Sequence, residues 1–238
     1  MKDFEAFLTA EGFSPKEIGE AIPKLLAYRD ATLEWNNKVN LTAITNPDEF
    51  IHKHYVDSLL CASSEELQKA HTVIDVGTGG GFPGVPLAIF FPKKKFVLLD
   101  SLQKRLKIVR QMVDDIGLSN VEVVHGRAED LARMPKYREQ FDLCVSRAVA
   151  NLSTLSELCL PFVKVGGTFI SYKGPNCNSE VSDAQPAMQA LGGKLLRAEM
   201  PRPGNYTTDH TMIYIYKERK TPAAYPRKAG TPAKDPLK

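Results

Sequence analysis

Apolar positions along the first 60 residues follow helical spacing, and from about residue 71 they change to short continuous runs. Residues 15–38 carry Ile18, Ile22, Leu25, Leu26 and Leu33 at mostly helical steps, which predicts an amphipathic helix. Ser14 stands as its N-cap, with Pro15 at the first position and Glu17 at the third, close to a capping box. A second helix is predicted over 48–61, started by Pro47. From His71 onward, β-rich runs end in turn signals: T-V-I-D-V (72–76), F-V-L-L-D (96–100), V-E-V-V-H (121–125) and F-D-L-C-V-S (141–146). Helical stretches separate them, notably 102–116 with Leu102, Leu106, Val109, Met112 and Ile116 on one face. Nearly continuous apolar strands alternating with helices predict a parallel sheet covered on both faces. Further strands are predicted at 168–172, 194–199 and 210–217. The last two, with Pro201, Pro203 and Gly204 between them, are too close for a helical crossover and are read as an antiparallel pair closing the sheet. The expected organisation is a helical segment over 1–70, an α/β domain over 71–220 and a C-terminal arm over 221–238.

Composition adds exclusions. With 238 residues, 43% apolar and 25% charged, the chain needs neither disulfides nor a metal staple. Its longest apolar stretches, Val85–Phe91 and Phe96–Leu99, fall far below the roughly 20 residues of a membrane span. The start M-K-D-F-E lacks the apolar core of a secretion signal, so a soluble cytoplasmic protein is expected. Cys61, Cys144, Cys159 and Cys177 form no C-x-x-C pair and are read as reduced, with Cys144 and Cys159 in the core. His52 and His54, with Asp57 nearby, fall on different faces of a helix and have no cysteine partner; packing and capping are expected of them, not a metal. Trp35 reads as a packing anchor, while Asn36, Asn37 and Asn40 beside it take no role at this level.

Charge is unevenly placed. Residues 217–238 hold seven Lys and Arg against two acids, a net +5, which leaves the remainder at −2 of the chain's +3. Beside Pro222, Pro226, Pro232 and Pro236, this end reads as an extended basic arm with a phosphate-rich partner, lying apart from any cofactor site. Lys93–Lys95 and the group Lys104, Arg105 and Lys107 are further candidates for following RNA phosphates, although any single lysine is more often simply solvated.

The strongest chemical signal is D-V-G-T-G-G-G-F-P-G, Asp75 to Gly84, between a strand and an apolar helix. Glycines there permit a tight turn and let a ligand approach backbone N–H groups. Nucleotide, dinucleotide and S-adenosylmethionine sites all use such turns, so the turn alone does not discriminate. Counted from Gly77, the sixth position is Phe82 where a dinucleotide fingerprint needs Gly; counted from Gly79, the pattern fits but places Pro83 inside the turn. Asp75, two residues before the first glycine, would repel a pyrophosphate and attract an amino-acid ammonium. Asp100 ends the next strand, 23 residues after Gly77, where an acid can take both ribose hydroxyls or cap the following helix. The third strand ends in His125-Gly126-Arg127-Ala128-Glu129, where a carboxylate and backbone N–H groups can read an adenine edge. The fourth ends in Ser146-Arg147, beside the same crevice, and Arg147 can meet a carboxylate or a substrate phosphate. Ammonium, ribose and adenine sites on successive strands describe S-adenosylmethionine and a methyltransferase.

Several segments together resemble the GidB/RsmG family of bacterial methyltransferases of small-subunit ribosomal RNA. They are W-N-N-K-V-N-L-T-A-I (35–44), H-Y-V-D-S-L (54–59), D-V-G-T-G-G-G-F-P-G-V-P-L-A-I (75–89), L-D-S-L-Q-K-R (99–105), G-R-A-E (126–129), S-R-A-V-A (146–150) and Y-P-R-K-A-G-T-P (225–232). The resemblance runs from about residue 14 to the C-terminus. It implies a Rossmann-like class I S-adenosylmethionine-dependent fold: a mostly parallel seven-stranded sheet, its last strand antiparallel, after an N-terminal helical segment. It further implies methylation of guanine N7 in 16S rRNA, at the nucleotide conventionally numbered 527; the partner expected is 16S rRNA, whether naked, in the small ribosomal subunit or in its assembly intermediate. Cofactor contacts carried over by position are Gly77, Phe82, Ala128, Glu129 and Arg147, with Asp100 at the ribose; Asp75, Thr78, Gly79 and Ser101 complete the expected site. Gly80 stands where many relatives have Ala.

The missing chemistry agrees with that reading. Guanine N7 carries an in-plane lone pair and no proton, so no catalytic acid or base is expected. Cytosine C5 methylation would need a cysteine in a Pro-Cys context, which Cys144 lacks, and Ser146-Arg147-Ala148-Val149 is unlike the Asn-Pro-Pro-Tyr-type loop of adenine N6 enzymes. The competing classes are a dinucleotide-dependent oxidoreductase, motivated by the offset glycine pattern, and a non-catalytic ribosome-binding protein.

Overall fold

The computed structural model describes residues 1–147, 150–202, 204 and 206–238. Ala148 and Val149 of the S-R-A-V-A segment, and Pro203 between the last two predicted strands, lie outside the described residues. The strands are β1 (Thr72–Val76), β2 (Lys95–Asp100), β3 (Val121–His125), β4 (Phe141–Arg147), β5 (Val163–Lys173), β6 (Gly193–Glu199) and β7 (Thr211–Lys217). They form one sheet in the order β3-β2-β1-β4-β5-β7-β6. β1 to β5 are parallel, and β7 runs antiparallel to both of its neighbours. The last two strands do pair antiparallel, but β7 lies between β5 and β6 and leaves β6 on the edge. Strand β5 also starts five residues before the predicted run, because Val163 pairs with Phe141 ahead of a register shift.

Successive residues of the central strands enter opposite cores, which is why their sequences read as continuous apolar runs. Val73 and Leu98 pack on one side with Phe4, Leu25, Tyr28 and Val85. Ile74, Val97 and Leu99 pack on the other with Leu152, Leu155 and Met188.

The N-terminal helices belong to the first of these cores. Helix Pro15–Asn36 opens with a full capping box: Ser14 N donates to Glu17 Oε2 at 2.8 Å, and Glu17 N donates to Ser14 Oγ at 3.3 Å. Its buried face is Ile18, Ala21, Leu25, Tyr28 and Thr32, so two polar-tipped residues complete a stripe for which Ile22 and Leu26 were the expected members. The predicted helix 48–61 is helical but uneven: Pro47–Phe50, a wide π-helical turn over Ile51–Val56, then Asp57–Leu59. His54 is buried within the wide turn.

The C-terminal residues do not form a free arm. Arg227 donates through its backbone N and its guanidinium to Glu157, with Nη2 to Oε2 at 2.7 Å, and Glu157 is fully buried in helix Leu152–Cys159. Gly230 N donates to Glu129 Oε1 at 2.8 Å, and Thr154 Oγ1 donates to the Pro232 carbonyl at 2.9 Å. Arg138 reaches the carbonyls of Tyr225 and Thr221. Buried acids and carbonyls on the body thus offset the cost of ordering a proline-rich segment, and composition alone does not reveal them. Lys217, counted with the arm by charge, is buried in β7 and donates to the Leu160 carbonyl and Thr221 Oγ1. Lys220, Lys228, Lys234 and Lys238 remain exposed.

Replacing Arg227 by Ala strips Glu157 of its charged partner inside the protein, and it should destabilise the fold by about 3–5 kcal/mol. Urea unfolding checks the loss, and protease cleavage within 221–230 should rise in the same variant.

Candidate active site

The glycine turn after β1 is held from three sides. The backbone N–H groups of Gly77 and Thr78 donate to the Leu99 carbonyl at 2.8 and 3.0 Å, tying the turn to the end of β2. Asp100 accepts from Gly79 N at 2.9 Å on one oxygen and from Leu102 N at 2.8 Å on the other. Asp75 Oδ2 accepts from Thr78 Oγ1 at 2.7 Å and from Gly84 N at 2.8 Å. From the N-terminal helix, Tyr28 donates its hydroxyl to the Gly80 carbonyl at 2.9 Å. Gly81 has φ +92°, and a Cβ there would overlap that tyrosine hydroxyl, so only glycine fits.

These constraints shape a cavity of about 500 Å3 at the C-terminal ends of β1 to β4, where ligands of open α/β sheets bind. Gly77, Thr78, Gly79, Phe82, Asp100, Ser101, Ala128, Glu129 and Arg147 all line it. A Cβ on Gly79 would meet no atom within 4 Å, so that side of the turn is open. Asp100 closes the turn that leads to Leu102 and also forms a cavity wall, since each carboxylate oxygen keeps a free lone pair after accepting one N–H. It does not cap the following helix, whose N-cap is Leu102.

Asp75 departs from expectation. It is fully buried, absent from the cavity wall, and spends Oδ2 on the turn; Oδ1 has no partner among the described residues. It therefore does not present its carboxylate to a ligand but stiffens the loop that does. Burial raises its pKa to about 7.

Other expectations also move. Lys93–Lys95 lie where β2 begins, at the opposite edge from the cavity, and Lys94 Nζ is engaged by the carbonyls of Gln68 and Ala70. Of the second basic group, Arg105 lines the cavity. Gly230 and Pro232 of the C-terminal segment line it too, so that segment is part of the site and not remote from it.

One wall of the cavity is formed by residues the sequence reading did not place there: Leu41 and Thr42, and His54, of which only packing and capping were expected. His54 stacks on Phe82 at a ring separation of 4.3 Å, and Arg147 donates to His54 Nδ1 at 3.0 Å and to the Lys53 carbonyl at 3.0 Å. Burial and the Arg147 charge push the His54 pKa down to about 3, so the imidazole is neutral. The signal for this wall is the asparagine cluster of residues 36–40. Asn36 Oδ1 accepts from Leu41 N and Thr42 N at 2.8 and 3.0 Å, and Asn36 Nδ2 donates to the Thr42 carbonyl at 2.8 Å. His52 instead meets the Thr207 carbonyl, and Asp57 pairs with His210. Among the described residues, no group of three or more His, Cys, Asp or Glu is placed to hold a metal ion, and no helix is long and apolar enough to cross a membrane.

Fold and cavity together define the class I, S-adenosylmethionine-dependent methyltransferases. The solved structure of an O-methyltransferase from Bacillus cereus in complex with SAH superposes with a TM-score of 0.56 at 20% identity, covering 80% of this chain and 91% of that one. The ribosomal protein L11 methylase from Lactobacillus delbrueckii subsp. bulgaricus gives a TM-score of 0.52 at 15% identity, covering 69% and 78%. Sequence is more specific. The family model described as GidB, rRNA small subunit methyltransferase G, matches residues 21–203. Proteins named ribosomal RNA small subunit methyltransferase G from Alkaliphilus metalliredigens and Clostridium novyi are each 50% identical to this chain. They align over 91% and 90% of its length, and over 91% and 88% of their own. The chain belongs to the GidB family of small-subunit rRNA methyltransferases.

The buried Asp75 gives a pH signature. Between its ordinary value of 3.8 and about 7, the unfolded chain has lost a proton that the folded chain keeps, so stability falls as pH rises through that window. In Asp75→Asn this fall is absent, and the variant's stability relative to the parent should rise by up to about 4 kcal/mol between pH 4 and pH 8. Urea unfolding at both pH values checks it; parallel curves would mean that Asp75 ionises as an exposed carboxylate does.

Proposed function

We propose that this protein transfers a methyl group from S-adenosylmethionine to N7 of a guanine in 16S rRNA of the small subunit, at position 527 by family resemblance. The observation that carries the reading is the convergence of nine expected cofactor contacts on one cavity at the ends of β1 to β4. The cavity's chemistry fits that cofactor: an open glycine turn, free carboxylate lone pairs on Asp100 that would take ribose hydroxyls, and the Ala128–Glu129 corner that would take the adenine. When bound, S-adenosylmethionine supplies an electrophilic methyl on a sulfonium.

The chain's own residues orient and do not move protons. His54 is the only imidazole on the cavity wall among the described residues, and both of its nitrogens are engaged, one by Arg147 and one by Thr42. Asp75 is sealed behind the turn. The carboxylates on the wall, Asp100 and Glu129, are the ones assigned to the cofactor. Guanine N7 attacks through its lone pair without deprotonation, and catalysis then rests on alignment, which can supply about 7–11 kcal/mol. The rRNA approaches as an assembly intermediate or as the finished subunit; exposed Lys104, Lys107, Lys228 and Lys234 are the cations we assign to its phosphates.

Mass spectrometry of rRNA from cells with and without the gene tests the target: loss of one 7-methylguanine from the small subunit is expected, and an unchanged pattern would refute the reading. Asp100→Ala should raise the Kd for S-adenosylmethionine about 10- to 100-fold by calorimetry. Because Gly230 and Pro232 form part of the cavity, removing residues 221–238 should weaken cofactor binding about tenfold or more, beyond any loss of RNA affinity.

A further inference from the structure

We infer that the Thr42 hydroxyl is the group that selects guanine at the target position, by donating its hydrogen to O6 of the base. This rests on the guanine-N7 reading above and adds the residue that enforces it.

Donor and acceptor accounting leads there. Thr42 is only 8% exposed, yet it lines the cavity with His54, Phe82 and Arg147. Its position is fixed by the three hydrogen bonds from Asn36 to residues 41 and 42. A guanidinium has donors only, so Arg147 at 3.0 Å forces His54 Nδ1 to be the acceptor. The neutral imidazole therefore carries its hydrogen on Nε2, which donates to Thr42 Oγ1 at 2.7 Å. Ile44 N donates to the same oxygen at 3.0 Å. A hydroxyl oxygen has two lone pairs, and both are now used. Thr42 is left as an obligate donor whose hydrogen has no acceptor among the described residues.

The purine edge supplies the acceptor. Beside N7, guanine presents the O6 acceptor, whereas adenine presents an amino donor. A base that turns N7 toward the methyl at the β1–β4 end of the crevice brings its six-position group to this same wall. Guanine completes the hydrogen bond, and adenine sets donor against donor in a buried place. The donor is also neutral. A cation at O6 would draw electron density from N7 and blunt its attack. Arg147 also lines the cavity, but it spends donors on His54 Nδ1 and the Lys53 carbonyl, and Thr42 supplies a neutral donor in its place. Arg147 and His54 are thus positioning residues for Thr42.

The test uses small subunits reconstituted with 16S rRNA carrying either guanine or 2-aminopurine at the target nucleotide, the latter keeping N7 but lacking O6. Thr42→Val and Thr42→Ala, which also leave His54 Nε2 and Ile44 N without their acceptor, should lower kcat/KM about tenfold more on the guanine subunits than on the 2-aminopurine subunits, mostly through KM. Thr42→Ser, which restores the donor, should recover the parent's ratio between the two substrates. An equal loss on both substrates, or no loss on guanine, would overturn the assignment. The identity of the parent's product is read separately: any modified nucleotide other than 7-methylguanine overturns the underlying reading, whatever the variants do.

Discussion

The site depends on the immobilisation of one glycine turn by groups that come from distant parts of the chain. Asp75 from β1 holds both ends of the turn, Asp100 from β2 holds its middle, and Tyr28 from the N-terminal helix holds the Gly80 carbonyl. A loop so rich in glycine is costly to order, at about 1–2 kcal/mol per residue of backbone entropy. The two carboxylates and the tyrosine offset this cost and leave the open face of the turn toward the cavity. Asp75 bears the greatest electrostatic cost, a buried carboxyl with one orphaned oxygen, and that strain marks how much rigidity the loop requires.

The helical segment before the sheet is therefore part of the active site. Tyr28 braces the turn, Asn36 at the end of the same helix organises the loop that carries Thr42, and the wide helical turn delivers His54 between Phe82 and Arg147. The segment W-N-N-K-V-N-L-T works as a bracket that sets Leu41 and Thr42 on the wall of the cavity at the strand ends.

Much of this was legible in the sequence. The strands were visible because burial on both faces leaves a continuous apolar imprint, and the helix from Ser14 because a capping box is a local event. Asp100 was legible as a residue at a strand end, where the parallel topology alone fixes its direction. Asp75 was misread for the opposite reason: its place was right, but whether a carboxylate faces a ligand or its own loop depends on the rotamer and on Gly84, nine residues on. The C-terminal segment was misjudged because prolines and lysines carry no record of the buried Glu157 and Glu129 that receive it. His54 was read as a packing residue, and it does stack on Phe82, but its bond to Arg147 crosses more than 90 residues of chain that no periodicity records. Thr42 was missed because its partners, Asn36, Ile44 and His54, become neighbours only through the loop that Asn36 organises.

The docked C-terminal segment also sets an order of events in biosynthesis. Residues 226–232 finish the wall of a crevice whose floor, the ends of β1 to β4, leaves the ribosome far earlier. A nascent chain thus carries the strands of the crevice floor with one wall unfinished until the docked segment has emerged in its turn.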